Sequence, residues 1–415
     1  MAKVTQLSQC RMCGAGKLSK VLSLSPTPVG DYYLRKREEA LRLDSFPLDT
    51  YQCEECGHVQ LAALVDPEYL YTDYIYTTNS SPGLPEHFRN YAGAVCEKLR
   101  MGQGRFLVEI GSNDGTLLRA FQEQGLRVLG VDPAREISRL ATSAGQPTLN
   151  AFFTPAVAQE IRMKHGAADL FIANNVLANV PNPREIFQGA TALLKPDGVI
   201  VFETGYLRYL AEDCVFDNIY HEHIDYYSIR PLVRFFREIG LQLFDVHVSD
   251  SKGSSIRCYV QKDSGSRPVS SVVPDLIERE EFHSYGTRKP YELLGVKISG
   301  TRERLHQILE PYKSQGKKVA GFGASVGVTT VLYQFELEGI VDYLLDDNMN
   351  RQGLFSPGLG LEVRSPEILY GNNRPDVVLL LAWRYGRSIA NRHASYVSKG
   401  GRFLQMLPDV EYLTL

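Results

Sequence analysis

The sequence predicts an α/β fold in three successive parts, on three observations. Two cysteine pairs of identical spacing lie at residues 10–13 and 53–56, short Val/Ile/Leu/Phe runs alternate with amphipathic helices from residue 105 to about 262, and a shorter series of the same kind fills the C-terminal third. Strand runs separated by helices are the pattern of a parallel sheet covered on both faces. With 415 residues, 44% of them hydrophobic, the chain has material for two or three cores. The expected divisions are residues 1–75, 76–263 and 264–415.

The first part rests on cysteine arithmetic. Seven cysteines occur, and an odd number with no apolar leader argues against a disulfide framework. Cys10-Arg11-Met12-Cys13-Gly14 and Cys53-Glu54-Glu55-Cys56-Gly57 are two C-x-x-C-G units. Each is a tight turn that can aim two thiolates at one ion, with glycine relieving the crowded backbone. Together Cys10, Cys13, Cys53 and Cys56 predict a closed, structural Zn²⁺ site in a module too short to bury its own core. A redox pair or unrelated buried thiols are the alternatives; Cys96, Cys214 and Cys258 read as ordinary buried thiols. The aromatic stretch Tyr69 to Ser81 follows, has no sustained period, and reads as a loop.

In the second part, Phe106–Ile110, Val128–Val131, Asp169–Ala173 and Val199–Glu203 read as strands, and Leu117–Gln124 and Pro183–Leu194 as helices between them. Leu241–Val248 and Ile256–Gln261 flank a Ser-Asp-Ser-Lys-Gly turn and predict an antiparallel hairpin that closes the sheet. The first strand runs into Val108-Glu109-Ile110-Gly111-Ser112-Asn113-Asp114-Gly115, and Asp132 ends the next. Glycines admit a ligand to the backbone, the helix N-terminus beyond offers N–H groups, and the second acid can accept both hydroxyls of a ribose. An acid just before the first glycine repels a pyrophosphate but suits the cationic amino-acid end of S-adenosylmethionine. Glu109, the glycine turn and Asp132 therefore predict a pocket for that cofactor, against the alternative of a turn without ligand. Asn174 and Asn175 end a later strand, where side-chain amides can hydrogen-bond a cofactor or a sugar hydroxyl, against the alternative of a polar turn.

Tyr220-His221-Glu222-His223 lies beyond the strand ending at Glu203, over the carboxyl edge of the sheet. Histidine, with an ordinary pKa of about 6.5, can remove a proton near neutral pH, and a neighbouring carboxylate can orient it. Metal binding by the alternate histidines and a structural pair are the competing readings. Residues 264–275, rich in Ser, Pro and Gly, read as a linker. A helical stretch to about Tyr312 follows, then Gly321-Phe-Gly323-Ala-Ser-Val-Gly327 and an acid, Asp346, after the next strand. This is a smaller Rossmann-like unit, whose turn reads as structural, as a contact for a substrate nucleotide, or as an NAD(P) site.

Forty-five Lys+Arg against 48 Asp+Glu leave a net charge of -3, which excludes general nucleic-acid binding through a basic field. The longest apolar run, Val377 to Trp383, is far short of the roughly 20 residues of a membrane span. A soluble, cytoplasmic protein with no obligatory protein partner is the expectation.

Taken in order, these motifs resemble one family along essentially the whole chain. They are the double C-x-x-C, Tyr74-Ile-Tyr76-Thr-Thr-Asn-Ser with His87-Phe88-Arg89, the Val-Glu-Ile-Gly-Ser-Asn-Asp-Gly turn, Asn-Asn-Val-Leu-Ala, Tyr-His-Glu-His, Gly253-Ser-Ser-Ile-Arg257 and the Gly-Phe-Gly-Ala unit. The chain is similar to the zinc-containing, S-adenosylmethionine-dependent C-methyltransferases of nucleotide-linked keto-deoxysugars. That resemblance implies a class I methyltransferase-type central domain, a cofactor pocket of Glu109, Gly111, Asn113, Gly115 and Asp132, and His223 as general base beside Tyr220 and Glu222. It also implies that Tyr76 closes over the substrate, a nucleotide-linked sugar. Two positions depart from the family pattern. Asn179 stands where a histidine is common and cannot shuttle a proton, and Val326 stands where a lysine commonly precedes the last glycine of the second turn. O- or N-methylation of a small metabolite, and an NAD(P)-using or non-catalytic nucleotide-sugar binder, are the alternative functions.

Overall fold

A computed structural model of the chain describes residues 4–71, 78, 83–249 and 255–414. The N-terminal strands are short: β1 (Val4–Gln6), β2 (Leu18–Leu22), β3 (Thr50–Cys53), β4 (Val59–Leu61) and β5 (Ala63–Val65). β2, β3 and β4 form antiparallel pairs in that order, and β1 pairs with β5. Tyr69 to Tyr71, expected in a loop, instead close the helical turn Pro67–Tyr71. Asp66 starts this turn by accepting the Glu68 N–H, with proline at the first helical position. The remainder of the expected loop, apart from Thr78, lies outside the described residues, and Tyr76 with it.

The central layer contains β6 (Phe106–Ile110), β7 (Arg127–Asp132), β8 (Thr148–Asn150), β9 (Ala168–Asn174) and β10 (Leu194–Gly205). These are parallel, and every residue of β6 and β9 is buried, as strands covered on both faces require. After β10 the chain crosses to the N-terminal module, where β11 (Asp225–Tyr226) pairs antiparallel with β4. It then returns as the hairpin β12 (Leu241–Ser249) and β13 (Ser255–Lys262), which pairs antiparallel with β10. The sheet order is β12-β13-β10-β9-β6-β7-β8. From β6 the chain steps outward to β8, then returns to β9 on the other side. The crevice above β6 and β9 is thus a topological switch point, where open α/β sheets bind ligands.

The expected linker at 264–275 runs into the helix Val272–Phe282, whose Val273 and Leu276 join the core of the central layer. Glu280 of that helix accepts the backbone N–H groups of Ile229 and Arg230, so the division expected at 263/264 separates it from the layer it packs on. The expected single helical stretch is two helices, the second being Lys289–Ser314. Its Tyr291, Leu294 and Leu305 share a core with Val21 and Leu22 of the N-terminal module and with the C-terminal unit. That unit is a six-stranded sheet of β14 (Val319–Phe322), β15 (Tyr343–Leu345), β16 (Val363–Arg364), β17 (Val377–Leu380), β18 (Arg402–Gln405) and β19 (Glu411–Tyr412). All its pairings are parallel except that of β19. No described helix is long and apolar enough to cross a membrane.

Candidate active site and metal cluster

The two C-x-x-C-G units fold as matching turns. Gly14 N–H bonds the Cys10 carbonyl at 2.8 Å and Gly57 N–H bonds the Cys53 carbonyl at 2.9 Å, both glycines having left-handed φ (+76° and +80°). The four Sγ atoms lie within 4.8 Å of one another, with Cys10–Cys56 and Cys13–Cys53 each at 3.6 Å. A tetrahedron of Zn–S bonds of about 2.3 Å requires sulfurs roughly 3.8 Å apart, so these residues fit zinc. Four thiols would fill the tetrahedral sphere of a zinc ion and leave no position open, as in a structural site.

One cavity of about 1010 Å³ opens over the switch point and reaches from the central sheet to the C-terminal unit. At the first end Glu109, Gly111, Asn113, Asp132, Asn174 and Asn175 all line the cavity. Gly115 does not line it; it starts the helix Thr116–Glu123 with φ +75° and packs so closely that a Cβ would stand 2.7 Å from the Gln146 side chain. Gly111 has φ +60°, and a Cβ there would meet Val176 at 2.1 Å. Asp132 accepts the N–H groups of Asn113 and Ala134, both at 2.9 Å, and keeps further lone pairs for a ligand. Glu109 is buried with Oε2 unpartnered, and burial together with the charges of Asp132 and Asp114 raises its pKa well above the carboxylate range. A buried acid of this kind waits for a cation. Asn174 is held by Tyr91 Oη, which donates to its Oδ1 at 2.9 Å, while its Nδ2 has no partner. These groups fit the amino-acid and ribose ends of S-adenosylmethionine. Thr78, missed in the sequence, also lines the cavity and donates its N–H to Asn113 Oδ1 at 2.9 Å.

Further in stand Tyr220, Glu222, His223 and Asn179. His223 Nδ1 is 3.1 Å from the Asn218 carbonyl, and its Nε2 is 2.8 Å from Tyr220 Oη. Burial pushes the Glu222 carboxyl up to about 8, and its Oε2 has no partner. His221 points elsewhere: it is buried against the Phe46 carbonyl at 3.1 Å, and burial drops its pKa to about 4. His221 is thus structural, and the cysteine cluster is the group of metal-ligating side chains found among the described residues.

At the far end the cavity meets Ser325, Val326 and Gly327, with Arg351 and Arg384. Arg351 pairs with Asp31, and Arg384 with Asp217 at 3.2 Å. Sequence spacing gave no sign of these four, since the paired arginines and aspartates lie 320 and 167 residues apart and outside any motif.

A four-thiol cluster beside a sheet whose switch-point cavity joins an acidic glycine turn to a histidine defines a methyltransferase-type enzyme with a structural metal module. Comparison with known proteins narrows the class. Residues 10–71 match the family model described as "Putative zinc binding domain", residues 86–246 "Methyltransferase domain", and residues 250–408 "C-methyltransferase C-terminal domain". C-methyltransferase NovU of Streptomyces niveus is 31% identical over 407 residues, covering 98% of this chain and 97% of that protein. The chain belongs to this family of zinc-binding, S-adenosylmethionine-dependent C-methyltransferases. The ubiquinone biosynthesis O-methyltransferase of Haemophilus ducreyi is similar over a shorter stretch, 29% identical across 24% of this chain and 45% of its own length. Among solved structures, magnesium protoporphyrin IX methyltransferase from Synechocystis PCC 6803 with bound SAH covers 43% of this chain and 84% of its own, at 12% identity and a TM-score of 0.34.

Proposed function

We propose that the enzyme methylates the carbon next to the keto group of a nucleotide-linked keto-deoxysugar, through an enolate formed with His223 as base. The observation that carries this reading is the pair of hydrogen bonds on His223. A carbonyl oxygen only accepts, so Nδ1 holds its proton toward Asn218 and Nε2 presents its lone pair to Tyr220 and the cavity. The keto group acidifies the neighbouring C–H. His223 Nε2 takes that proton, directly or through the Tyr220 hydroxyl, and the resulting imidazolium keeps its Nδ1–H on Asn218. Glu222, whose pKa burial pushes up to about 8, can in its protonated form donate to the enolate oxygen, the kind of prepared donor that stabilises developing charge. S-adenosylmethionine supplies the electrophilic methyl, and Glu109, Asn113, Asp132, Asn174 and Asn175 are the residues proposed to hold it.

A nucleotide on the sugar is supported by the length of the cavity and by Arg351 and Arg384 at its far end, since arginine suits the planar recognition of phosphate oxygens. In this chain they stand near the position where Val326 replaces the family's lysine. Tyr76, proposed to close over the substrate, lies outside the described residues. Unpaired Cys96, Cys214 and Cys258 support a reducing compartment, and the cytoplasm is the proposed location. Mass spectrometry of reactions with a panel of nucleotide-linked keto sugars tests the function: the expected product gains one methyl on carbon, and a methyl on oxygen or nitrogen overturns it.

A further inference from the structure

We propose that Arg11, inside the first C-x-x-C turn, is a positioning residue for the catalytic histidine. The inference rests on the reading of His223 as base and adds how that residue is held in place. Arg11 is fixed at its own backbone, where its N–H donates to Gln60 Oε1 at 2.9 Å and the Gln60 amide in turn donates to the Gln9 carbonyl at 3.1 Å. Its side chain is 3% exposed and runs to Asp225, which is 0% exposed; Nε lies 3.0 and 3.1 Å from the two carboxylate oxygens. Nη2 donates to the Leu61 carbonyl at 2.8 Å and to the Ile224 carbonyl. The guanidinium thus joins the metal turn, β4 and the segment immediately after His223.

Other contacts share in holding that segment. β11 pairs with β4 over two residues only, Asp225 opposite Gln60 and Tyr226 opposite Val59. Two residue pairs make a short ladder, to which the guanidinium adds contacts with the Asp225 carboxylate and two carbonyls. Further ties are His58 Nε2 to Asp225 Oδ1 at 2.6 Å, Leu61 N–H to the Ile224 carbonyl at 2.9 Å, Ile224 N–H to the Ala178 carbonyl at 2.7 Å and Tyr226 Oη to the His223 carbonyl at 2.8 Å. A buried ion pair contributes little net stability compared with apolar residues of the same volume. A fork that binds a carboxylate and two carbonyls instead fixes geometry, which a lysine's single ammonium cannot reproduce. The zinc turn and the base are therefore two ends of one clamp.

The test compares Arg11→Lys with the parent and with His223→Ala, using a nucleoside-diphosphate-linked keto-deoxyhexose that the parent methylates. In Arg11→Lys, zinc per chain by native mass spectrometry and S-adenosylmethionine affinity by calorimetry should match the parent, with KM for the sugar little changed. The turnover number should fall by about 10²-fold, the scale of a misplacement of roughly 1 Å. In Arg11→Ala, millimolar guanidinium should restore part of the lost turnover. A turnover number within about twofold of the parent in Arg11→Lys overturns the proposal, because misplacement of the base has a far larger cost. So does loss of zinc and cofactor binding in step with turnover, which would make Arg11 a folding residue. Normal turnover in His223→Ala would overturn the base assignment itself and this inference with it.

Discussion

Glu109→Gln separates a cofactor pocket from a mere strand-to-helix turn. Glu109 is 3% exposed, its Oε2 is unpartnered, and burial with two nearby acids holds its pKa well above the carboxylate range. Without ligand the group is protonated at pH values where a free glutamate is ionised. A cationic ammonium in contact favours the carboxylate and returns the pKa toward its ordinary range. Binding S-adenosylmethionine therefore releases a proton between the lower, bound pKa and the higher, free pKa. Across that window affinity rises with pH, by at most about tenfold per unit. Glutamine has nothing to release, so this slope disappears in the variant. Loss of a charge-assisted hydrogen bond of roughly 1.5–3 kcal/mol weakens Kd by about 10- to 150-fold. Calorimetry at several pH values, in two buffers of different ionisation enthalpy, measures both effects. Parent-like affinity in Glu109→Gln, with no proton release by the parent enzyme, would refute the reasoning.

Other predictions follow from the same geometry. Asp132→Ala should weaken S-adenosylmethionine binding by roughly 1–3 kcal/mol, read by calorimetry, since charge-assisted hydrogen bonds are left unmade. Cys53→Ser should lose the tightly held zinc found by elemental analysis at about one per chain, and destabilise the N-terminal module rather than slow chemistry selectively. His221 has a folded pKa of about 4 against an unfolded value near 6.5, so its neutral form stabilises the fold fully above pH 6.5. Protonation of the unfolded chain then removes about 3 kcal/mol as pH falls from 6.5 toward 4. Denaturant unfolding across that range should show a flatter pH dependence in His221→Gln.

What the sequence made legible was local. A strand whose every residue is buried, such as Phe106–Ile110, is apolar but for the one acid, Glu109, and a C-x-x-C-G turn is set by residues a few positions apart. The glycine turn and the strand-end acids reached one cavity because parallel strands deliver their carboxyl ends to the same edge. What stayed hidden was set by distance along the chain. Asp225–Tyr226 is too short to read as a strand and gains its identity from β4, more than 160 residues earlier. Arg351 and Asp31 meet across 320 residues. Gly115 shows the opposite case: the motif is present, but the glycine lies outside the cavity lining and packs against Gln146. His221 and His223 are indistinguishable by composition, and only the fold turns one to the Phe46 carbonyl and the other to the cavity.

The most direct test of the central claim is the rate and site of methyl transfer by His223→Ala, with S-adenosylmethionine and the nucleotide-linked keto-deoxysugar accepted by the parent. NMR should place the parent's new methyl on the carbon beside the keto group, and the variant should form the same product about 10²- to 10⁴-fold more slowly, the usual contribution of a positioned base. Turnover by His223→Ala close to that of the parent, or a methyl found on oxygen or nitrogen, would contradict the account.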